Sequence, residues 1–94
     1  MRVVYTEPAL EDLEEIGAFL KAHYPSLLSA VRENIQRLVS RLAMWPESAP
    51  VVSERPKVRV AFVQRYPYKV FYLVTASDVQ ILHVHHSSRK LWMP

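Results

Sequence analysis

The sequence predicts a two-layer α+β fold in the order β-α-α-β-β-β: a mostly antiparallel four-stranded sheet with a helical hairpin on one face. Three observations lead there. The first half holds two stretches whose apolar residues recur with the helical period. The last third holds three runs of β-branched and aromatic residues separated by turn residues. Two amphipathic helices then need an apolar sheet face to bury their stripes.

Each element has a local reason. Arg2 to Tyr5, with Val3-Val4-Tyr5, reads as the first strand. Thr6 can cap a helix by accepting an unpaired first-turn N–H, and Pro8 is tolerated where its missing donor has no intrahelical partner. The acids of the first turn suit the positive end of the helix dipole. Ala9, Leu13, Ile16 and Leu20 build one apolar face, and this helix should end near His23-Tyr24. Pro25-Ser26 starts a second helix, in which Leu28, Val31, Ile35, Leu38 and Leu42 step by three, four, three and four. The short connection implies an antiparallel pair. Trp45-Pro46 ends the second helix, and residues 46–56, with three prolines, read as one long loop.

In the last third, Val58, Val60 and Phe62 alternate with Lys57, Arg59 and Ala61. The alternation assigns the first set to the core and Lys57 and Arg59 to the other face. Tyr66-Pro-Tyr68 turns the chain into a strand over 68–75, and a tight connection at 76–78 leads into the last strand over 79–86. The expected core includes Leu13, Ile16, Leu20, Val31, Ile35, Leu38, Leu42 and Phe62. No repeat or linker interrupts the 94 residues, which read as a single domain spanning 1–94.

Composition excludes several classes. Half the residues are hydrophobic, so a packed globule is expected rather than disorder. The absence of cysteine excludes disulfides and thiolate metal sites. No apolar run is long enough for a signal peptide or a bilayer span, which implies no membrane partner and a cytoplasmic location. A single glycine, Gly17, lies inside a helix, so phosphate-cradling loops and nucleotide cofactors are not expected. Net charge is +3, but residues 1–24 carry −3 and residues 25–94 carry +6. Such asymmetry points to an anionic partner.

Cations collect in and beside the three predicted strands: Lys57, Arg59, Arg65, Lys69, Arg89 and Lys90, with Tyr66, Tyr68, Tyr72 and Trp92 interleaved. Guanidinium forks match phosphate oxygens and aromatic faces stack on bases, although tyrosines also belong on half-buried sheets. His86 is the best placed titratable group, and Arg89 three residues on can stabilise an anionic transition state. As a plain alternative, His86 terminates the sheet by bonding backbone. His83 and His85 share a strand face, as a zinc site requires. No acid lies near them in sequence except Asp78 at the far end of the strand, so no metal is expected. The acids of the first helix are accounted for by its dipole alone.

The residues also carry a resemblance. Tyr5-Thr-Glu-Pro-Ala9-Leu-Glu-Asp12-Leu-Glu-Glu-Ile16 resembles the opening of the RelE/ParE superfamily of bacterial toxins. Pro46, the Val58-Arg59 pair, the strand Arg65-Tyr-Pro-Tyr-Lys-Val-Phe-Tyr72 and the closing His86-Ser-Ser-Arg89 follow in the matching order. The resemblance spans nearly the whole chain and implies a RelE/ParE-like fold and a toxin of a type II toxin–antitoxin pair. A cognate antitoxin would neutralise it by strand addition or by a helix laid in a groove, with acids meeting Arg59 and Arg89. RelE-like relatives cleave messenger RNA on the ribosome with basic residues and a late tyrosine or histidine, whereas ParE-like relatives poison DNA gyrase. Carried over, the RelE-type positions fall on Arg59, on His86 or Arg89, and loosely on Lys57. These give the candidate catalytic set His86, Arg59 and Arg89, with Lys57, Arg65, Lys69, Tyr66, Tyr68, Lys90 and Trp92 as binding candidates. The late tyrosine has no counterpart in the tail Lys90-Leu-Trp-Met-Pro, which turns the resemblance toward the ParE side. A non-toxic binding module and an RNA-binding domain without catalysis stand as alternatives.

Overall fold

A computed structural model describes residues 1–88 of the chain. β1 (Arg2–Tyr5) leads into α1 (Glu7–His23), and one 3-10 turn over Pro25–Leu27 reverses the chain into α2 (Leu28–Met44). β2 (Val51–Val52), β3 (Arg55–Phe62), β4 (Tyr68–Val74) and β5 (Asp78–His86) complete the order. They form a five-stranded sheet, β1-β5-β4-β3-β2, in which β1 runs parallel to β5 and the other neighbours are antiparallel. The α+β class is as the sequence implies, but the sheet has five strands rather than four. The additional strand, β2, lies within the expected long loop. Two residues leave no periodicity to read. The backbone draws them in: Val60 N–H donates to Pro50 O at 3.0 Å and Val51 pairs with Arg59.

The parallel pairing of first and last strands needs a crossover, and the helical pair supplies it. Arg2 Nε meets Asp78 Oδ1 at 2.9 Å across the register pair that starts both strands. The N-terminal ammonium donates to Ala43 O at 2.9 Å, near the negative end of α2. Thr6 caps α1, accepting from Ala9 N–H at 3.4 Å.

Strand register assigns the faces. Arg59 pairs with Tyr72 and Ala61 with Val70; across β4, Val70 pairs with Val84 and Tyr72 with Ile81. Ala61, Val70, Tyr72, Ile81 and Val84 belong to the core that Leu20, Val31, Ile35, Leu38 and Leu42 of the helices complete, with Leu13 and Ile16 partly buried against it. The expected phase of β3 is therefore inverted. Arg59 and Ala61 face the helices, and Val58, Val60 and Phe62 lie on the opposite side; Phe62 is 59% exposed and not core. Alternation misleads here because the sheet's second face is apolar as well, with Val58 and Phe71 buried on it. A register shift between β4 and β5 leaves Leu82 opposite no residue, so Ile81 and Val84 both face the core while His83 and His85 turn away.

Burial pushes the phenols of Tyr5, Tyr68 and Tyr72 above their ordinary value of 10.0. The folded state thus holds these protons more tightly than the unfolded chain. The stability this contributes is complete below about pH 10 and is lost as pH rises through the folded values. Melting temperature should be flat across neutral and mildly alkaline pH and fall above about pH 10. A curve level to about pH 11 would contradict the assignment.

Candidate functional site

Among the described residues, the cations that cluster in the sequence are dispersed in space. Arg59 lies on the helix side of β3 and serves the preceding loop. Its Nη1 donates to Ala49 O at 2.6 Å and to Glu47 O at 3.3 Å, and Nη2 sits 3.6 Å from the exposed Glu47 carboxylate. Tyr72 OH donates to Pro46 O at 2.7 Å, so two side chains of the sheet hold one loop by its carbonyls. Lys57 is exposed at the start of β3. Lys69 points to the sheet's second face, where it is buried at 6% exposure with Nζ 5.7 Å from the Phe71 ring centroid. Arg65 is exposed in the turn between β3 and β4 and holds a left-handed φ of 71°. A non-glycine residue there costs about 1 kcal/mol or more. Tyr66 is half-buried beside it, and Tyr68 is buried in the core. Arg89, Lys90 and Trp92 lie outside the described residues.

His86 ends β5 opposite Tyr68, whose ring it meets edge-on at 5.7 Å. Its Nδ1 accepts from Ser88 N–H at 3.2 Å and from Ser88 Oγ at 2.7 Å. A backbone N–H can only donate. In the neutral imidazole Nδ1 is therefore the bare nitrogen, and the exposed Nε2 carries the proton. The bond from the Ser88 backbone N–H agrees with the plain alternative, in which His86 bonds backbone at the sheet end.

Arg59 and His86 do not meet. Both face the helices, but their partners on β4 are Tyr72 and Tyr68. Four residues of strand put them about 13 Å apart along the sheet, with two further strand spacings between them.

The structure instead gathers a group that sequence spacing does not reveal. β1 stops at Tyr5, and the edge of β5 beyond Ile81 is satisfied by side chains: Thr6 Oγ1 donates to Ile81 O at 2.8 Å, and Asp12 Oδ2 accepts Val84 N–H at 3.0 Å. The same oxygen lies 2.8 Å from His83 Nδ1 and 3.9 Å from His85 Nε2. The two imidazoles are 4.8 Å apart, and His85 packs edge-on against Phe71 at 5.5 Å. The carboxylate absent from the neighbourhood of these histidines in sequence thus arrives from α1. Its signal was its face: Asp12 is three residues from Ala9 and four from Ile16, on the side of the helix that meets the sheet.

Two recesses flank these features. One, of ≈ 270 Å³, is lined by Asp12, Glu15, Phe19, Tyr68, His85 and His86 among others. The other, of ≈ 340 Å³, lies between the end of α2 and the edge of β3, where Leu38, Trp45, Pro50, Val60 and Phe62 line it. Of its lining residues Trp45 and Phe62 are largely exposed, as are Met44 and Val51, the chain neighbours of Trp45 and Pro50. Among the described residues no helix is long and apolar enough to cross a membrane.

The sequence model described as the ParE toxin of type II toxin–antitoxin system, parDE, matches residues 3–91. Among solved structures, the chromosomal ParDE TA system from P. aeruginosa is similar at a TM-score of 0.78 and 25% identity, over 92% of this chain and 95% of that one. The isolated E. coli RelE toxin is similar at 0.69 and 18% identity, over 95% of this chain and 86% of that one. The YoeB/ParE toxin from Agrobacterium tumefaciens is similar at 0.64 and 15% identity, over 92% and 98%. No curated protein matches the sequence.

Proposed function

Because the chain belongs to the ParE toxin family of type II toxin–antitoxin systems, we propose that it arrests bacterial growth by poisoning DNA gyrase and is held inactive in the cytoplasm by a cognate antitoxin. The separation of Arg59 from His86 carries the choice of target. Cleavage of RNA through the 2′-hydroxyl needs a base, an acid and a cation at one phosphate. Here the arginine is committed to the carbonyls of Glu47 and Ala49, four strand positions from the imidazole. The imidazole's Nδ1 is engaged by Ser88. This is an arrangement for holding a protein surface in shape.

The antitoxin reading rests on the exposed Met44, Trp45, Val51 and Phe62 around the α2–β3 recess. Together they form an apolar patch of the kind that a partner covers. An amphipathic segment seated there would meet Arg41 in the recess wall and Lys57 on β3 with its acids.

One observation favours the second reading, ribosome-dependent messenger RNA cleavage. Arg65 and His86 share one end of the sheet, joined through the bond from Ser87 N–H to Pro67 O at 2.7 Å. One experiment separates the readings. The purified chain is incubated with gyrase and supercoiled plasmid, and separately with translating ribosomes. We expect gyrase-dependent cleaved plasmid and intact transcripts, with His86→Gln still active. Codon-specific transcript cuts that His86→Gln abolishes, with gyrase unaffected, would overturn the proposal. Expression of the chain alone should arrest growth, and co-expression of the neighbouring small reading frame should restore it.

A further inference from the structure

We propose that Asp12, His83 and His85 form a binding site for a divalent transition metal, zinc foremost, bridging α1 to β5. Among the described residues these three bring one ligand atom each to within 4.8 Å of one another. A tetrahedral zinc bound at about 2.0–2.1 Å to nitrogen and oxygen spaces its ligand atoms about 3.3 Å apart. The two separations that involve the carboxylate bracket that value: 2.8 Å to His83 and 3.9 Å to His85. The first opens and the second closes by about half an ångström, and the two ring nitrogens, within 4.8 Å of each other, close by up to about 1.5 Å through rotation of the side chains.

The surroundings fit as well. Two imidazoles and a carboxylate suit zinc rather than magnesium or calcium, which take mostly oxygen. All three groups are sheltered, with side-chain exposures of 17% for Asp12, 19% for His83 and 5% for His85. The carboxylate is oriented by Val84 N–H, an outer-shell bond of the kind that holds a ligand's direction. Three protein ligands leave a fourth position, and the ≈ 270 Å³ recess lined by Asp12, Glu15 and His85 gives the ion a path in and room for a water there. Zinc replaces the proton between His83 Nδ1 and Asp12; that proton moves to Nε2 of the same ring or to solvent. The site stands apart from the choice between gyrase and ribosome and needs neither.

Zinc is titrated calorimetrically into the chelator-treated full chain. We expect one zinc per chain with micromolar or tighter affinity, and a loss of about ten- to a hundredfold or more in Asp12→Asn, His83→Gln and His85→Gln. His23→Gln, on the far end of α1, should bind as the parent does. Failure to bind at about a hundredfold higher zinc, or binding that survives both histidine substitutions, would overturn the site. Should a variant fail to fold, the unaltered chain with 15N-labelled histidine decides. Zinc should shift the ring nitrogens of His83 and His85, and shifts confined to His86 or His23 would refute the proposal.

Discussion

Replacing Tyr72 with alanine should lower the melting temperature by about 20 °C, the largest loss from any single truncation in the sheet. Tyr72 is wholly buried at 0% exposure, in the middle of β4, with Arg59 beside it on β3 and Ile81 on β5. Removing a buried aromatic ring costs about 3–5 kcal/mol because close-packed neighbours relax only partly into the cavity. A chain of this length has about 5–14 kcal/mol in all. The phenol adds a second effect, since its bond to Pro46 O is one of the restraints on the loop that Arg59 also holds. Tyr72→Phe isolates that bond and should cost about 1 kcal/mol. It should also loosen the wall of the recess that includes Trp45 and Pro50, so the antitoxin's hold should weaken while the fold persists. Denaturant unfolding of both variants tests this. An alanine variant within about 2 kcal/mol of the parent would mean that the core closes over the void.

Helices and strands were legible to different degrees for physical reasons. The α2 stripe could be read because one face of that helix meets the sheet and the other meets water, so apolar spacing and burial coincide. β3 was misread because its two faces are both apolar, and the rule that charge points outward fails where loop carbonyls stand ready to accept an arginine. β2 carries two residues and no pattern; only its pairing with β3 defines it. The irregularity in β5 was written in the sequence, since apolar residues fall at Val79 and Ile81 and then at Leu82 and Val84, a change of phase in the period of two. For the site, chain proximity suggested a cationic cluster whose described members, Lys57, Arg59, Arg65 and Lys69, the three-dimensional register disperses. It also concealed the union of Asp12 with His83, which lie 71 positions apart.

That union gives the second large effect. In metal-free protein, with chelator present, Asp12→Ala should cost about 3 kcal/mol and lower the melting temperature by about 10–20 °C. β5 loses the cover of β1 after Ile81, and an open strand edge buried under a helix leaves an N–H that must find an acceptor. Asp12 supplies it to Val84 while facing His83 with the same oxygen. Alanine removes the acceptor from both groups at once, and helix α1 is left against an unsatisfied edge. Asp12→Asn places a neutral oxygen in the same position and should keep most of the stability, at a cost of about 1 kcal/mol, although it weakens the proposed zinc site. Hydrogen exchange at the Val84 amide reads the difference directly. Its protection should collapse in the alanine variant and survive in the asparagine variant. Equal losses in both would assign the stability to charge rather than to the capped edge, and an alanine variant as stable as the parent would show that water satisfies the edge instead.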